Sequence, residues 1–261
     1  MGILNVTPDS FSDGGRFSDK STALSHALQM VRDGADIIDI GGESTRPGSK
    51  PVSEEEELAR VIPVIEELAG KSEVLISIDT QKAKVAREAL LAGAHMVNDV
   101  SAGTSDANMF KVVAEFNALY VMMHMQGTPE NMQDSPQYRN VVEDIIQYFN
   151  VRMQLAEAQG VRGDHIILDP GVGFGKTLEN NLEIMARMES FREIGCRTML
   201  GASRKSFIGM LDNSKVDQRL GGSIAAVLAG HLGKVDIFRV HDVGETRQAL
   251  HIFTTIQNHL D

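Results

Sequence analysis

Cysteine is nearly missing from this chain: Cys196 stands alone among 261 residues. A lone thiol excludes an internal disulfide framework and any zinc site built on several cysteines. Long apolar runs are missing as well. None approaches the roughly 20 residues that a bilayer-spanning helix needs, and no basic lead with a small-residue cleavage site precedes the first apolar run. A cytoplasmic location is the expectation. Positive charge is scarce, with 25 Lys and Arg against 36 Asp and Glu and a formal net charge of −11. That balance argues against a broad nucleic-acid footprint, which needs clustered cations facing phosphates. It still permits a small anionic ligand, because a few convergent Arg, Lys and His side chains make a local positive site on an acidic protein. No low-complexity linker divides the chain, so residues 1–261 read as one domain. With 42% hydrophobic and 23% charged residues, it has the means to bury a sizeable core.

What the chain does have is a regular alternation of short apolar runs with amphipathic stretches. The runs are 2–6, 37–40, 74–78, 96–98, 119–123, 166–169, 198–201 and 237–240. Between them lie helix-like segments near 21–33, 54–69, 82–92, 106–117, 140–159, 178–193, 217–232 and 245–259. Leu58, Val61, Ile62, Ile65 and Leu68, for example, recur at helical spacing. Ser53 ahead of Glu54-Glu55-Glu56 resembles a capping box, and the run Glu54 to Glu57 reads as a solvated first turn that complements the helix dipole. Continuous apolar strands separated by helices make a parallel sheet covered on its faces. Eight such units in about 250 residues point to an α/β protein with a single-domain TIM (β/α)8 barrel. An open doubly wound sheet is the alternative.

Nearly every strand ends in polar residues: Asn5, Glu43-Ser44-Thr45-Arg46, Asp79, Asn98-Asp99, His124, Asp169, Ser203-Arg204-Lys205, and Arg239 with His241. In a (β/α)8 barrel the chemistry sits at that mouth, where the βα loops converge. One polar residue at a strand end is ordinarily a cap or a turn former; a full circle of them calls for a ligand. "GVGFGKT" at 171–177 looks like a phosphate loop, but the Walker pattern needs Gly at 170 and the chain has Pro170. Its glycines read instead as sharp-turn positions where a ligand approaches the backbone. Arg46, between Thr45 and Pro47 in "GGESTRPG", is suited to holding an anion on a semi-rigid loop. "ASRKS" at 202–206 reads as an anion- or carbonyl-facing loop, and strand alternation sets Arg239 and His241 on one side. His124 lacks metal-ligand spacing to the other histidines.

"MGILNVTPDSFSDGG" at 1–15 and "GADIIDIGGESTRPG" at 34–48 resemble the two signature segments of the dihydropteroate synthase family. "SIDT", "VND", "LDPGVGFGK", "SRKS" and "RVHDV" follow in the family's order, so the resemblance covers essentially the whole chain. It implies a (β/α)8 barrel, a homodimer, and a reaction of folate biosynthesis. That reaction joins 6-hydroxymethyl-7,8-dihydropterin diphosphate to 4-aminobenzoate by an SN1-like substitution and releases diphosphate. One departure is that family members carry a short lead-in before the first strand, whereas Met1 here aligns with the strand itself. That bears on closure of the barrel bottom and not on the site.

By resemblance, Asp79, Asn98, Asp169, Lys205, Met123 and Gly201 form the pterin pocket, where carboxylates and an amide complement an aminopyrimidine edge. Asn5, Thr45, Arg46, Arg239 and His241 form the diphosphate set, with Asn5 as the protein ligand of Mg²⁺. Thr45, Pro47, Phe174, Lys205 and Ser206 take 4-aminobenzoate. Lys205, Asp79, Asp169, Arg239 and His241 carry the catalysis. Loops 7–20 and 44–52 are expected to close over the diphosphate and exclude water. Two other classes fit parts of this pattern: methyl transfer from a folate to cobalamin, which needs no diphosphate site, and a silent barrel that only binds.

Overall fold

A computed structural model describes residues 1–7, 16–44, 49, 51–128, 131–132 and 134–259. Its eight strands are β1 (Gly2–Asn5), β2 (Ile37–Gly41), β3 (Leu75–Asp79), β4 (Met96–Asp99), β5 (Leu119–Met123), β6 (Ile166–Asp169), β7 (Arg197–Leu200) and β8 (Ile237–Phe238). They pair in sequence order, every neighbour parallel. Just past β8, Val240 bridges to Gly2, and Ile3 N donates to Val240 O at 3.0 Å, which brings the last strand round to the first. The sheet is the expected barrel, and the open doubly wound alternative is excluded.

The helices are α1 (Arg16–Arg32), α2 (Glu54–Ala69), α3 (Ala83–Leu91), α4 (Met109–Glu115), α5 (Val141–Ala158), α6 (Leu178–Ala186), α7 (Met188–Arg192), α8 (Ser206–Asp212), α9 (Leu220–Leu232) and α10 (Val243–Gln257). Three differ from the sequence reading. α1 begins at Arg16, inside the stretch expected to be loop, because nothing after Gly14-Gly15 breaks a helix. The helix expected over 178–193 is two, parted at Arg187 (φ −119°, ψ 28°), and Met188 and Phe191 are thereby buried. α8 was not expected: Phe207 and Ile208 pack into the core, and Asn213 ends the helix in the left-handed conformation (φ 61°).

Strand alternation sorts the core into two layers. Leu4, Ile38, Ile40, Ile76, Ile78, Val97, Tyr120, Met122, Ile166, Leu168 and Leu200 pack outward with the helices. Ile37, Met96, Val121, Ile167 and Met199 form a separate cluster inside the barrel, with Ile237 against it. Successive side chains of a strand point to opposite faces. The residues two positions further on therefore face the same interior, one layer nearer the mouth: Asp39, Asn98, Met123, Asp169, Gly201 and Arg239. An apolar plug thus supports a polar layer.

Two smaller expectations are corrected at α2. Ser53 Oγ accepts Glu56 N at 3.2 Å, but the reciprocal half of the box does not form, since the Glu56 carboxylate pairs with Arg60. The glutamate run is not wholly solvated either: Glu57 is fully buried and bonds Lys82 Nζ at 2.5 Å.

Candidate active site

The polar layer is tied together across the barrel by Arg239. Its Nε donates to Asp39 Oδ2 at 2.6 Å and its Nη2 to Asp79 Oδ2 at 2.7 Å. Asn98 Nδ2 donates to the same Asp39 oxygen at 2.9 Å. Asp39 Oδ1 is buried with no hydrogen-bond partner among the described residues. On the far side, Asp169 Oδ1 accepts Gly171 N at 2.8 Å. Gly201 sits among these groups: a Cβ there would touch Asp169 Oδ2 and Lys205 Nζ at 3.8 Å and the Arg239 side chain at 3.9 Å. Two cations, Arg239 and Lys205, thus face three carboxylates around one hollow. Burial drives the Asp79 carboxyl up to about 7 against the pull of Arg239. Burial also raises Asp169, against the attraction of Lys205. The Lys205 ammonium, likewise buried, comes down to about 8 although Asp169 holds it up. A floor short of positive charge favours a ligand rich in N–H donors.

Beside the floor, Lys205 Nζ donates to Val172 O and stands 4.6 Å above the centre of the Phe174 ring. Lys205 follows a strained turn: Arg204 has φ 57°, donates its N–H to Ser223 Oγ at 2.9 Å, and pairs its guanidinium with Asp242. Ser206 opens α8 and is exposed. At the end of β8, Ser203 Oγ lies 3.0 Å from His241 Nδ1 and accepts His241 N at 3.2 Å. Asn5, half-buried, ends β1 in register with Gly41, which pairs in turn with Asp79.

Asp79, Asn98, Asp169, Lys205, Gly201 and Arg239 therefore line one hollow, with Met123 buried in the same layer and Phe174 at its side. Arg239 and His241 do not act as a pair in this state: the arginine bonds the acidic floor and the histidine bonds Ser203. Thr45, Arg46 and Pro47, with most of loops 7–20 and 44–52, lie outside the described residues. Sequence reasoning missed Asp39, although a carboxylate two residues beyond Ile37 in a buried strand is a visible signal. Glu43, among the residues at the strand ends, is paired there with Lys82, just past β3. As for Mg²⁺, no group of three or more His, Cys, Asp or Glu able to hold a metal occurs among the described residues. A lone amide oxygen at Asn5 fits a cation whose other ligands are phosphate and water.

A family model described as pterin binding enzyme matches residues 1–241. The chain belongs to that family. The dihydropteroate synthase of Clostridium beijerinckii is 46% identical over 250 residues, spanning 95% of this chain and 90% of its own. A Yersinia pestis dihydropteroate synthase solved with a sulfonamide drug complex superposes with a TM-score of 0.94 at 43% identity, covering 99% of this chain and 94% of its own. The Xanthomonas albilineans enzyme in complex with 7,8-dihydropteroate superposes with a TM-score of 0.89 at 39% identity, covering 98% and 92%. Within the pterin-binding enzymes, the chain is a folate-pathway transferase of the dihydropteroate synthase type.

Proposed function

We infer that the chain joins 6-hydroxymethyl-7,8-dihydropterin diphosphate to 4-aminobenzoate, giving 7,8-dihydropteroate and diphosphate. The observation that carries this is the acidic floor cross-tied by Arg239, with Lys205 and Phe174 at its edge. Asp39, Asp79, Asp169 and Asn98 offer acceptors and one amide to the pterin's aminopyrimidine edge, and Lys205 donates to its acceptor side. In the reaction the C–O bond to diphosphate breaks and a C–N bond to the arylamine forms, with loss of one amine proton. The route is SN1-like: the pterin ring spreads the developing cation, and the Asp79 and Asp169 carboxylates stabilise it in a site shielded from water. The arylamine is already neutral near pH 7, so the site positions it and needs no base to activate it. Phe174, Lys205 and Ser206, with Thr45 and Pro47, take 4-aminobenzoate.

The diphosphate is assigned to Asn5, Thr45, Arg46, Arg239 and His241. When bound, Mg²⁺ supplies charge neutralisation to the departing diphosphate, and Asn5 is the residue that would hold it. For Arg239 this role requires it to leave Asp39 or Asp79 as the anion arrives. No helix among the described residues is long and apolar enough to cross a membrane. A cytoplasmic location is part of the same proposal. We also assign it to a homodimer, supported by the apolar outer face of α9, where Ala225, Ala229 and Leu232 are exposed.

The test is to supply both substrates with Mg²⁺ and follow dihydropteroate and diphosphate together. Equal yields of the two are expected, with loss of activity on chelation and in Asn5→Ala at unchanged fold. Absence of dihydropteroate with the wild-type chain overturns the reading. Full activity after chelation overturns the metal assignment alone.

A further inference from the structure

The loop that mimics a phosphate-binding motif turns its lysine inward. Lys176 is 3% exposed. Its Nζ lies 2.9 Å from Phe174 O, 3.2 Å from His124 O and 3.1 Å from His124 Nδ1. An ammonium has three protons to give and no acceptor, and three acceptors surround this one. His124 is itself fixed at the tip of β5: its N–H donates to Asp169 O at 3.0 Å, and its ring meets Tyr148 edge-on at 4.8 Å.

The loop is fitted to the same strand tip along its backbone. A Cβ at Gly171 (φ 70°) would stand 2.0 Å from His124 O, and one at Gly175 (φ 60°) 2.3 Å from Gln126 O. Glycine is therefore required at both, by conformation and by space. Tyr138 Oη donates to Gly175 O at 2.8 Å, and Asn181 Oδ1 accepts Gly173 N at 2.7 Å. The front of this loop is the wall facing Lys205, made of the Val172 carbonyl and the Phe174 ring. Lys176 thus holds from behind the residue whose ring faces the hollow. Burial draws its ammonium well below the usual lysine range, a pull that Asp169 opposes, so its hold depends on the three acceptors and not on an ion pair.

We propose that Lys176, anchored on His124, is a positioning residue for the arylamine subsite, fixing Phe174 and Val172 against Lys205 without touching substrate. This rests on the assignment of 4-aminobenzoate to Phe174 and Lys205.

The experiment compares wild type, Lys176→Met and Tyr138→Phe as full chains, measuring KM for each substrate, kcat, and pterin affinity by calorimetry. In Lys176→Met the KM for 4-aminobenzoate is expected to rise by roughly ten- to a hundredfold, the range that misplacement of a substrate-holding group produces. The kcat should fall less, and pterin affinity should hold. Tyr138→Phe removes one tie from the same loop and moves the same KM by less, so it serves if Lys176→Met does not fold. An unchanged arylamine KM in the folded variants, or equal losses for both substrates, overturns the proposal. Phe174→Ala separates the two levels: if it leaves the arylamine KM unmoved, the subsite assignment falls, and the proposal with it. If Phe174→Ala raises that KM while Lys176→Met and Tyr138→Phe do not, only the positioning role falls.

Discussion

Asp79 and Lys205 are pushed in opposite directions by the same cause. Burial disfavours charge, so the carboxyl rises to about 7 and the ammonium falls to about 8. In the proposed pterin subsite Asp79 must be ionised to accept and Lys205 charged to donate. Affinity should therefore pass through a maximum and fall on both the acidic and the basic side, by up to about tenfold per pH unit. Calorimetry across both sides checks it, and a flat profile refutes the two assignments. Asp79→Asn should remove the acidic limb and weaken binding about tenfold or more, the loss of a charged hydrogen bond. Stability runs with the opposite sign: the folded-state pKa lies above the unfolded one, so this carboxyl withdraws stability as pH rises from about 4 toward 7, while affinity gains over the same range. Most of these residues were legible because strand tips carry them. Asp39 was overlooked because it lies inside the apolar run, where hydropathy hides a single carboxylate that alternation exposes. Lys176 was obscured for the opposite reason: its motif pointed to a phosphate, and only the fold reveals which way the side chain turns.

Between elements, Lys82 is the tie that sequence could not show. Its Nζ bonds Glu43 at the base of the β2–α2 loop and Glu57 on α2. Arg60 Nη1 adds a bond to Gly42 O at 2.6 Å, and Val52 N reaches Glu43 Oε1 at 3.4 Å. Glu57 is fully buried, and its Oε1 has no partner among the described residues. Lys82→Met should cost about 3–5 kcal/mol, the penalty for leaving a buried charge unpaired. Urea unfolding measures it, and a loss within about 0.5 kcal/mol, the ordinary range for a surface change, refutes the anchoring role. Such long-range pairs join residues whose nearness is a product of the barrel. Periodicity therefore finds α2 and its boundaries but not what its first turn holds. α8 escaped for a related reason: seven residues give too few turns for a helical period to stand out, and the basic loop before it drew the reading.

At the scale of the whole molecule, eight repeats of one pattern made the architecture legible, because each strand must be apolar on both faces and each helix on one. Some helices also carry apolar side chains on their outer faces, α9 and α10 among them. Ala225, Ala229 and Leu232 are exposed on α9, and Ile252 and Ile256 are exposed on the neighbouring α10. If the proposed homodimer uses this face, analytical ultracentrifugation should find wild type as a dimer and Leu232→Glu as a folded monomer; a monomeric wild type overturns the dimer, and an unaltered dimer in the variant places the contact elsewhere. The circle of strands is also uneven. β8 has only two residues, and its return to β1 is carried by Ile3 N to Val240 O at 3.0 Å, Val240 N to Met1 O at 2.9 Å and the Met1 ammonium to Phe238 O at 2.9 Å. Asn5 lies on one lip of that junction, and Arg239 and His241 lie on the other. The seam thus sets the residue proposed for the metal on one side and the residues proposed for the departing anion on the other. Three hydrogen bonds therefore close the cask where the two halves of the proposed anion site meet.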